Sequence, residues 1–123
     1  MASDPLGILL ISEGHARAHY AFVLATGAAA IGRHVVLFAT NQGCRALLAD
    51  LTAFAEADDS AAARGVAGLA ELRDAAIELG VRLIACEAGL RMADVTQTLA
   101  QPVEIAGVVT FLEAVGSGQI ITL

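Results

Sequence analysis

The 123-residue chain is long enough for one domain with one sizeable core. Apolar residues make up 57% of it and charged residues only 16%. That is more apolar surface than one small domain can bury, so we expect the protein to associate into oligomers. The formal net charge of −6 argues against partners such as nucleic acid or an anionic membrane surface.

The cysteine content and the lengths of the apolar runs predict the compartment. Two cysteines are too few for a disulfide framework. The first five residues are polar and acidic, and they lack the basic segment of a secretory signal. The longest nearly apolar run, residues 20–32, is shorter than the roughly 20 residues that a membrane span needs. We therefore expect a cytoplasmic protein with no membrane-spanning segment.

The first half of the chain predicts alternating strands and helices. Residues 6–11 form a continuous aliphatic run, which is typical of a strand buried on both faces. A helix is predicted from His15 to about residue 31, where Gly32 ends it. Residues 35–39 predict the second strand, and residues 44–51 favour a second helix.

The second half begins with its least regular segment. Residues 52–65 mix alanines with acidic residues and predict a loop or a loosely held helical segment. Apolar residues at three- and four-residue steps predict a helix over 69–79. The remaining predicted elements are a strand at 81–85, a short helix and loop at 87–100, a strand at 102–105, a helix at 107–115 and a strand at 119–123.

This order of elements is typical of a three-layer α/β/α fold with a mostly parallel sheet. No internal repeat, low-complexity linker or composition shift divides the sequence. Residues 1–123 are therefore predicted to form a single domain.

Cys86 occupies a position in which a reactive thiol would be placed. It follows a predicted strand and starts a helix, and ligands gather at the carboxyl ends of strands in open parallel sheets. Unpaired N–H groups at the start of a helix favour a thiolate. Gly89 and the flanking alanines leave room for a reactant. The alternative is a structural core residue, because unpaired cysteines are among the most buried residue types.

Two charged residues and a second thiol bear on Cys86. Glu87 would oppose a thiolate beside it, and Arg91, one helical turn further on, either pairs with Glu87 or is a solvated surface residue. Cys44 follows the second strand, so we expect it on the same edge of the sheet as Cys86. It is either a resolving thiol or a packing residue, and a cytosolic pair would stay reduced.

His15 and His19 have the i, i+4 spacing of two metal ligands on one helix. No acidic residue is fixed beside them in the sequence, so we predict neither a metal nor a cofactor. The chain contains no Gly-rich phosphate loop and no pattern that indicates a Ser-His-Asp arrangement.

Five segments together suggest a family. The sequence GILLI at residues 7–11 is followed by an alanine-rich helix at 21–32 and by VVLFAT at 35–40. The later segments are GVRLIAC at 80–86 and VEIAGVVTFL at 103–112. In this combination the chain resembles the DsrE/DsrF/DsrH-like family, and most closely its broad peroxiredoxin-like branch.

The resemblance implies an α/β/α domain with a five-stranded parallel sheet, assembled as a homo-oligomer or hetero-oligomer. We expect a trimer or a multiple of dimers. Several members of the family are sulfur-relay proteins, which carry sulfane sulfur as a cysteine persulfide and pass it to a small acceptor protein. Their carrier cysteine corresponds to Cys86. The resemblance therefore implies a sulfurtransferase or persulfide carrier, with a small sulfur-carrier or rhodanese-type protein as its partner.

Glu87, Arg91, Cys44 and His15 are the candidate accessory residues of such a site. A second function remains open, in which the protein is a non-catalytic oligomeric subunit or a small-ligand-binding protein of the same fold. Cys86 would then be structural, as part of a pocket wall. Thiol reactivity separates the two functions, because a carrier needs a thiolate fraction at neutral pH.

Overall fold

The computed structural model describes residues 4–123 and contains one five-stranded sheet. All its strands are parallel, and their order is β4-β3-β2-β1-β5. This confirms the predicted α/β fold. The strands are β1 (Leu6–Leu10), β2 (Val35–Ala39), β3 (Arg82–Cys86), β4 (Glu104–Ala106) and β5 (Gln119–Thr122).

Helices connect these strands and cover both faces of the sheet. Within residues 4–123, none of them combines the length and the apolar character needed to cross a membrane. The α-helices are α1 (His15–Ala30), α2 (Ala55–Ala63), α3 (Leu69–Glu78), α4 (Glu87–Met92) and α5 (Val108–Val115). Two 3₁₀ helices, the first at Asn41–Leu47 and the second at Thr52–Phe54, lie between β2 and α2.

The segment between β2 and α3 differs most from the sequence prediction. The α-helix predicted at residues 44–51 is wrong, because a 3₁₀ helix begins at Asn41, whose φ of 52° turns the chain sharply after β2. Gly43 packs so close to the end of β1 that a Cβ would overlap the carbonyl oxygen of Leu10. Residues 52–63, predicted as a loop or a loosely held helix, form the second 3₁₀ helix and α2.

One face of the sheet, the first face, packs against α1 and α3. Small residues of α1 allow the close approach of helix to sheet, and Phe22 fills the space between them without any exposure. The buried strand residues of this face alternate along β1, β2 and β3; they are Leu6, Ile8, Leu10, Val35, Leu37, Ala39, Leu83 and Ala85.

The opposite face, the second face, is covered by α5. Phe111 of α5 stacks on Phe38 of β2, with ring centroids 4.9 Å apart and 9° between the ring planes. Gly7 of β1 permits this packing, because a Cβ there would lie 2.6 Å from a methyl carbon of Val115. Val36, Ile84 and Cys86 complete the cluster beneath the helix.

A bidentate ion pair joins β3 to the edge strand β4. Arg82 Nε donates to Glu104 Oε2 at 2.6 Å, and Arg82 Nη2 donates to Glu104 Oε1 at 2.9 Å. Glu104 lies in register with Ile84, two residues along β3 from Arg82. Hydrogen bonding to Arg82 holds the pKa of Glu104 below its usual range, so both groups are charged at neutral pH.

The close packing at Gly7 gives the first testable prediction. Gly7→Ala should lower the free energy of unfolding by about 1–3 kcal/mol, because Val115 and Phe111 must move away to admit the methyl group. Gly27→Ala is the matched control. Gly27 lies inside α1 with no atom within 4 Å of an added Cβ, so alanine should stabilise the protein by roughly 1 kcal/mol. Denaturant unfolding measures both, and equal effects of the two substitutions would contradict the packing described here.

Candidate functional site

Cys86 is the last residue of β3 and the N-cap of α4. The strand brings its side chain to the second face, where it contacts the apolar cluster under α5 and lies in register with Ala106 of β4. Its Sγ accepts a hydrogen bond from the backbone N–H of Gly89 at a donor–acceptor distance of 3.4 Å. Cys86 retains 9% exposure. The expected contact with an N–H group at the start of the helix is therefore present, although the sulfur is largely covered.

Gly89 has a different role from the one expected from the sequence. It is buried, and a Cβ there would overlap the hydroxyl oxygen of Thr40 and the backbone nitrogen of Asn41. Because Gly89 has no side chain, α4 can pack against the turn after β2. That turn occupies the space beside Gly89, so no room is left there for a reactant. Two other small residues are near Cys86: the exposed Ala88, two positions further along the chain, and the half-buried Ala106, which lies in register with Cys86 on β4.

Glu87 and Arg91 form an ion pair along one turn of α4, between Oε1 of the acid and Nη2 of the arginine. Both side chains are mostly exposed to solvent. An exposed pair of this kind contributes little to stability. At the site, Arg91 balances the negative charge of Glu87 next to Cys86. This pairing is one of the two alternatives that the sequence left open for Arg91.

Cys44 lies in the first 3₁₀ helix at the same carboxyl edge of the sheet as Cys86, and both cysteines are free thiols. Cys44 has no exposure, and its Sγ donates to the carbonyl oxygen of Ala39 at 3.5 Å. The pKa of the Cys44 thiol is raised to about 11. Burial is the largest cause, and the nearby sulfur of Cys86 is the second. A thiol with a raised pKa is protonated at neutral pH, which is the state expected of a packing residue.

Arg73 fixes the end of the first 3₁₀ helix, which carries Cys44. Its Nη1 donates to the carbonyl oxygens of Ala46 at 3.0 Å and Leu48 at 2.5 Å. Burial lowers the pKa of this guanidinium, and its Nε has no hydrogen-bond partner within residues 4–123. Sequence reasoning missed Arg73, because one arginine in a helical pattern gives no sign that it is buried.

His15 and His19 lie apart from Cys86, with no hydrogen bond or ion pair between the histidines and the cysteine in the described chain. Their rings stack with centroids 5.2 Å apart. The Nε2 of His19 contacts the carbonyl oxygen of Ala67 at 2.8 Å, and the Nε2 of His15 contacts Asp58 Oδ1 at 2.6 Å. The sequence places no acidic residue next to these histidines. In the folded chain Asp58 of α2 lies beside His15, although α2 belongs to the segment 52–65, which the sequence predicts as a loop or a loosely held helix.

Asp58 joins three elements of the fold. Besides His15 on α1, its carboxylate accepts hydrogen bonds from the N–H groups of Leu69 at 2.7 Å and Ala70 at 3.1 Å, at the start of α3. Burial alone would raise the pKa of Asp58, but the hydrogen bonds from Ala70, His15 and Leu69 outweigh it and lower the pKa. His15 is therefore part of a structural clamp between α1, α2 and α3.

Comparison with known proteins agrees with this architecture. A model of the DsrE/DsrF-like family matches residues 6–123. The crystal structure of the YchN protein from E. coli is similar, with a TM-score of 0.74 over 98% of this chain and 100% of that chain. The two sequences are 13% identical, so this likeness concerns the fold alone. No curated protein matches the chain in sequence.

The clamp at Asp58 gives a prediction with a defined pH dependence. Asp58→Asn should lower the free energy of unfolding by about 1–2 kcal/mol at neutral pH, because it removes a charge that accepts three hydrogen bonds. The folded-state pKa lies below the ordinary value of 3.8. The carboxylate therefore stabilises the fold above that pH, and the stabilisation disappears as the pH falls through the lowered pKa.

Urea unfolding at a series of pH values measures this difference. The wild-type and Asp58→Asn proteins should converge in stability on the acidic side. Asp59→Asn is the matched control, since Asp59 is the exposed neighbour on the same helix. A constant difference between wild type and Asp58→Asn at all pH values would refute the electrostatic part of the argument.

Proposed function

Because the chain belongs to the DsrE/DsrF-like family, we propose that it is a sulfur-relay protein. It accepts sulfane sulfur on Cys86 as a persulfide and passes it to a small acceptor protein of the sulfur-carrier or rhodanese type. The observation that carries the proposal is the hydrogen bond from the Gly89 N–H to the sulfur of Cys86 at the end of β3. The two free thiols fit a reducing compartment such as the cytoplasm.

The contrast between the two cysteines supports Cys86 as the reacting thiol. Cys44 is fully buried, and its thiol donates a hydrogen bond to a carbonyl oxygen. Its pKa is raised to about 11, so almost no thiolate forms at neutral pH. Cys86 keeps some exposure and accepts a hydrogen bond from a backbone N–H, which favours a negatively charged sulfur. Cys44 therefore supports the packing of the edge and does not exchange sulfur.

The reaction requires no external oxidant. The Cys86 thiolate attacks a sulfane sulfur of the donor, a new S–S bond forms, and the donor's own S–S bond breaks to release its thiolate. In the second step an acceptor thiolate attacks the outer sulfur of the persulfide, and the Cys86 thiolate leaves. The Gly89 N–H is placed to stabilise the Cys86 sulfur both as the attacking and as the leaving thiolate.

The burial of Cys86 favours the second candidate function, that of a subunit without sulfur chemistry. Cys86 packs in the apolar cluster with Ile84 and Phe111 and exposes only 9% of its surface. A structural thiol would have the same surroundings. Sulfur loading separates the two functions.

Incubation with polysulfide followed by intact-mass spectrometry tests the proposal. The mass of the wild-type protein should increase by one sulfur atom. Cys44→Ala should show the same increase, and Cys86→Ala should show none. The loaded protein should return to its original mass when a small thiol acceptor is added. Alkylation of the native protein at neutral pH should label Cys86 and leave Cys44 unlabelled, because the Cys44 thiol is protonated there. Equal loading of both cysteines, or loading of neither, would reject the proposal.

We also propose that the protein forms a homo-oligomer through the outer surface of α5. The buried side of this helix holds Phe111 and Val115, while Val108, Val109 and Leu112 are exposed on its other side. These three residues form an apolar patch on the helix that covers the second face, and the exposed Glu113 lies beside it, one turn after Val109. Burying them against another copy would remove apolar surface from water.

Light scattering at micromolar concentration tests the assembly, and we expect a trimer or a multiple of dimers. Val109→Glu should shift the mass towards the monomer, because it would bury a charge in the contact. Val66→Glu is the matched control, since Val66 is an exposed valine in the loop before α3. A wild-type protein that is monomeric would contradict the proposal.

A further inference from the structure

A cavity of about 320 Å³ lies beside the carboxyl edge of the sheet, and Cys86 is not among the residues that line it. Its wall includes Glu13 from the loop after β1, Arg45 from the first 3₁₀ helix, and Asp50. Leu48 and Phe54 supply an apolar surface. In open parallel sheets, ligands bind outside the carboxyl ends of the strands, which is where this cavity lies.

Two hydrogen bonds hold the guanidinium of Arg45 in place and, in the described chain, leave its third nitrogen, Nη1, free to bind a ligand. Its Nε donates to Gln42 Oε1 at 2.7 Å, and its Nη2 donates to the carbonyl oxygen of Ala93 at 3.1 Å. Within residues 4–123, Nη1 has no hydrogen-bond partner. A half-buried guanidinium that is fixed by two bonds can bind an anion at its remaining nitrogen with little loss of side-chain entropy.

Asp50 is exposed to solvent where it lines the cavity, and Thr52 fixes one of its two carboxylate oxygens. Its Oδ1 accepts hydrogen bonds from the hydroxyl group and the backbone N–H of Thr52, and these bonds lower the pKa of Asp50. The carboxylate is therefore ionised at neutral pH, and its Oδ2 makes no hydrogen bond in the described chain. Although Arg45 and Asp50 line the same cavity, no ion pair joins them within residues 4–123. Each charge is held by its own neighbours and remains available to a ligand.

We infer that this cavity binds a small zwitterion with an apolar side chain, the chemical class of an aliphatic or aromatic α-amino acid. The ligand's carboxylate would bind Arg45 Nη1, and its ammonium group would bind Asp50 Oδ2, with Glu13 adding negative charge nearby. Leu48 and Phe54 would contact the side chain. A ligand with only a carboxylate would meet two acidic residues, and one with only an amine would leave Arg45 unpaired.

The size of the cavity agrees with this class of ligand. Cavities that bind small molecules span roughly 300–1,000 Å³, and this one lies at the lower end. It can hold an amino acid, whereas a nucleotide cofactor would exceed it. The inference is independent of sulfur transfer, because neither cysteine lines the cavity.

Isothermal titration calorimetry with L-leucine and L-phenylalanine as probes tests the inference on the wild-type protein. At least one probe should bind saturably. Isocaproate, which is leucine without its ammonium group, and isoamylamine, which is leucine without its carboxylate, should each bind about tenfold more weakly or worse. Failure of both amino acids to bind, or equal binding of the truncated compounds, would overturn the inference.

Two variants assign the charges. Arg45→Gln should weaken binding of the amino acid and leave isoamylamine unchanged. Asp50→Asn keeps an acceptor for Thr52, and it should weaken binding of the amino acid while leaving isocaproate unchanged or tighter. Arg17→Gln and Asp59→Asn, at exposed positions on α1 and α2, are the matched controls. Circular dichroism checks that each variant is folded.

A further variant separates this site from the sulfur chemistry. Cys86→Ser should bind the amino acid as the wild-type protein does. Loss of binding in this variant, or wild-type affinity in both charge variants, would show that the cavity is not the binding site.

Discussion

The parallel, in-register pairing of β1, β2 and β3 is the constraint from which both candidate sites follow. Leu10 pairs with Ala39, and Ala39 pairs with Ala85, so the three strands end side by side. The segments that follow β1 and β2 carry Glu13 and Arg45 to the same edge of the sheet at which Cys86 ends β3. Side chains alternate between the faces, however, and Cys86 points to the face under α5. The cavity lined by Arg45 borders Phe54, which packs against the first face. One edge thus carries two chemically separate features.

The elements with continuous or periodic apolar patterns could be predicted from the sequence. The prediction for β2 is exact, and the one for α1 agrees within one residue at its end. Both elements are buried against the core, and buried positions require apolar or small residues that can be recognised in the sequence. The first 3₁₀ helix could not be predicted, since its cause is a tertiary contact between Gly43 and the backbone of β1. In the same way, α2 buries none of its residues and therefore shows no apolar period to read.

In the candidate site, too, features set by sequence neighbours could be predicted, and features set by tertiary contacts could not. The position of Cys86 follows from local order along the chain, as does the pairing of Glu87 with Arg91, because each depends on residues a few positions apart. The contact between His15 and Asp58 joins residues that are 43 positions apart, and no spacing rule anticipates it. The sequence predicts open space beside Gly89 near the sulfur, whereas Thr40 and Asn41 occupy the space that a side chain there would need. Local chemistry could be predicted, but the tertiary neighbours of each group could not.

The ion pair between Arg82 and Glu104 has a consequence for how copies of this chain can meet. β4 is a three-residue edge strand, and an exposed edge offers unpaired backbone groups to any passing strand. Here the edge is short and carries a fixed charge pair, so a strand added beside it would have to desolvate Glu104 and disturb its bond to Arg82. Extension of the sheet from molecule to molecule is disfavoured in this direction. The same two side chains that fasten β4 to the sheet thus also protect the protein against open-ended, fibre-like growth.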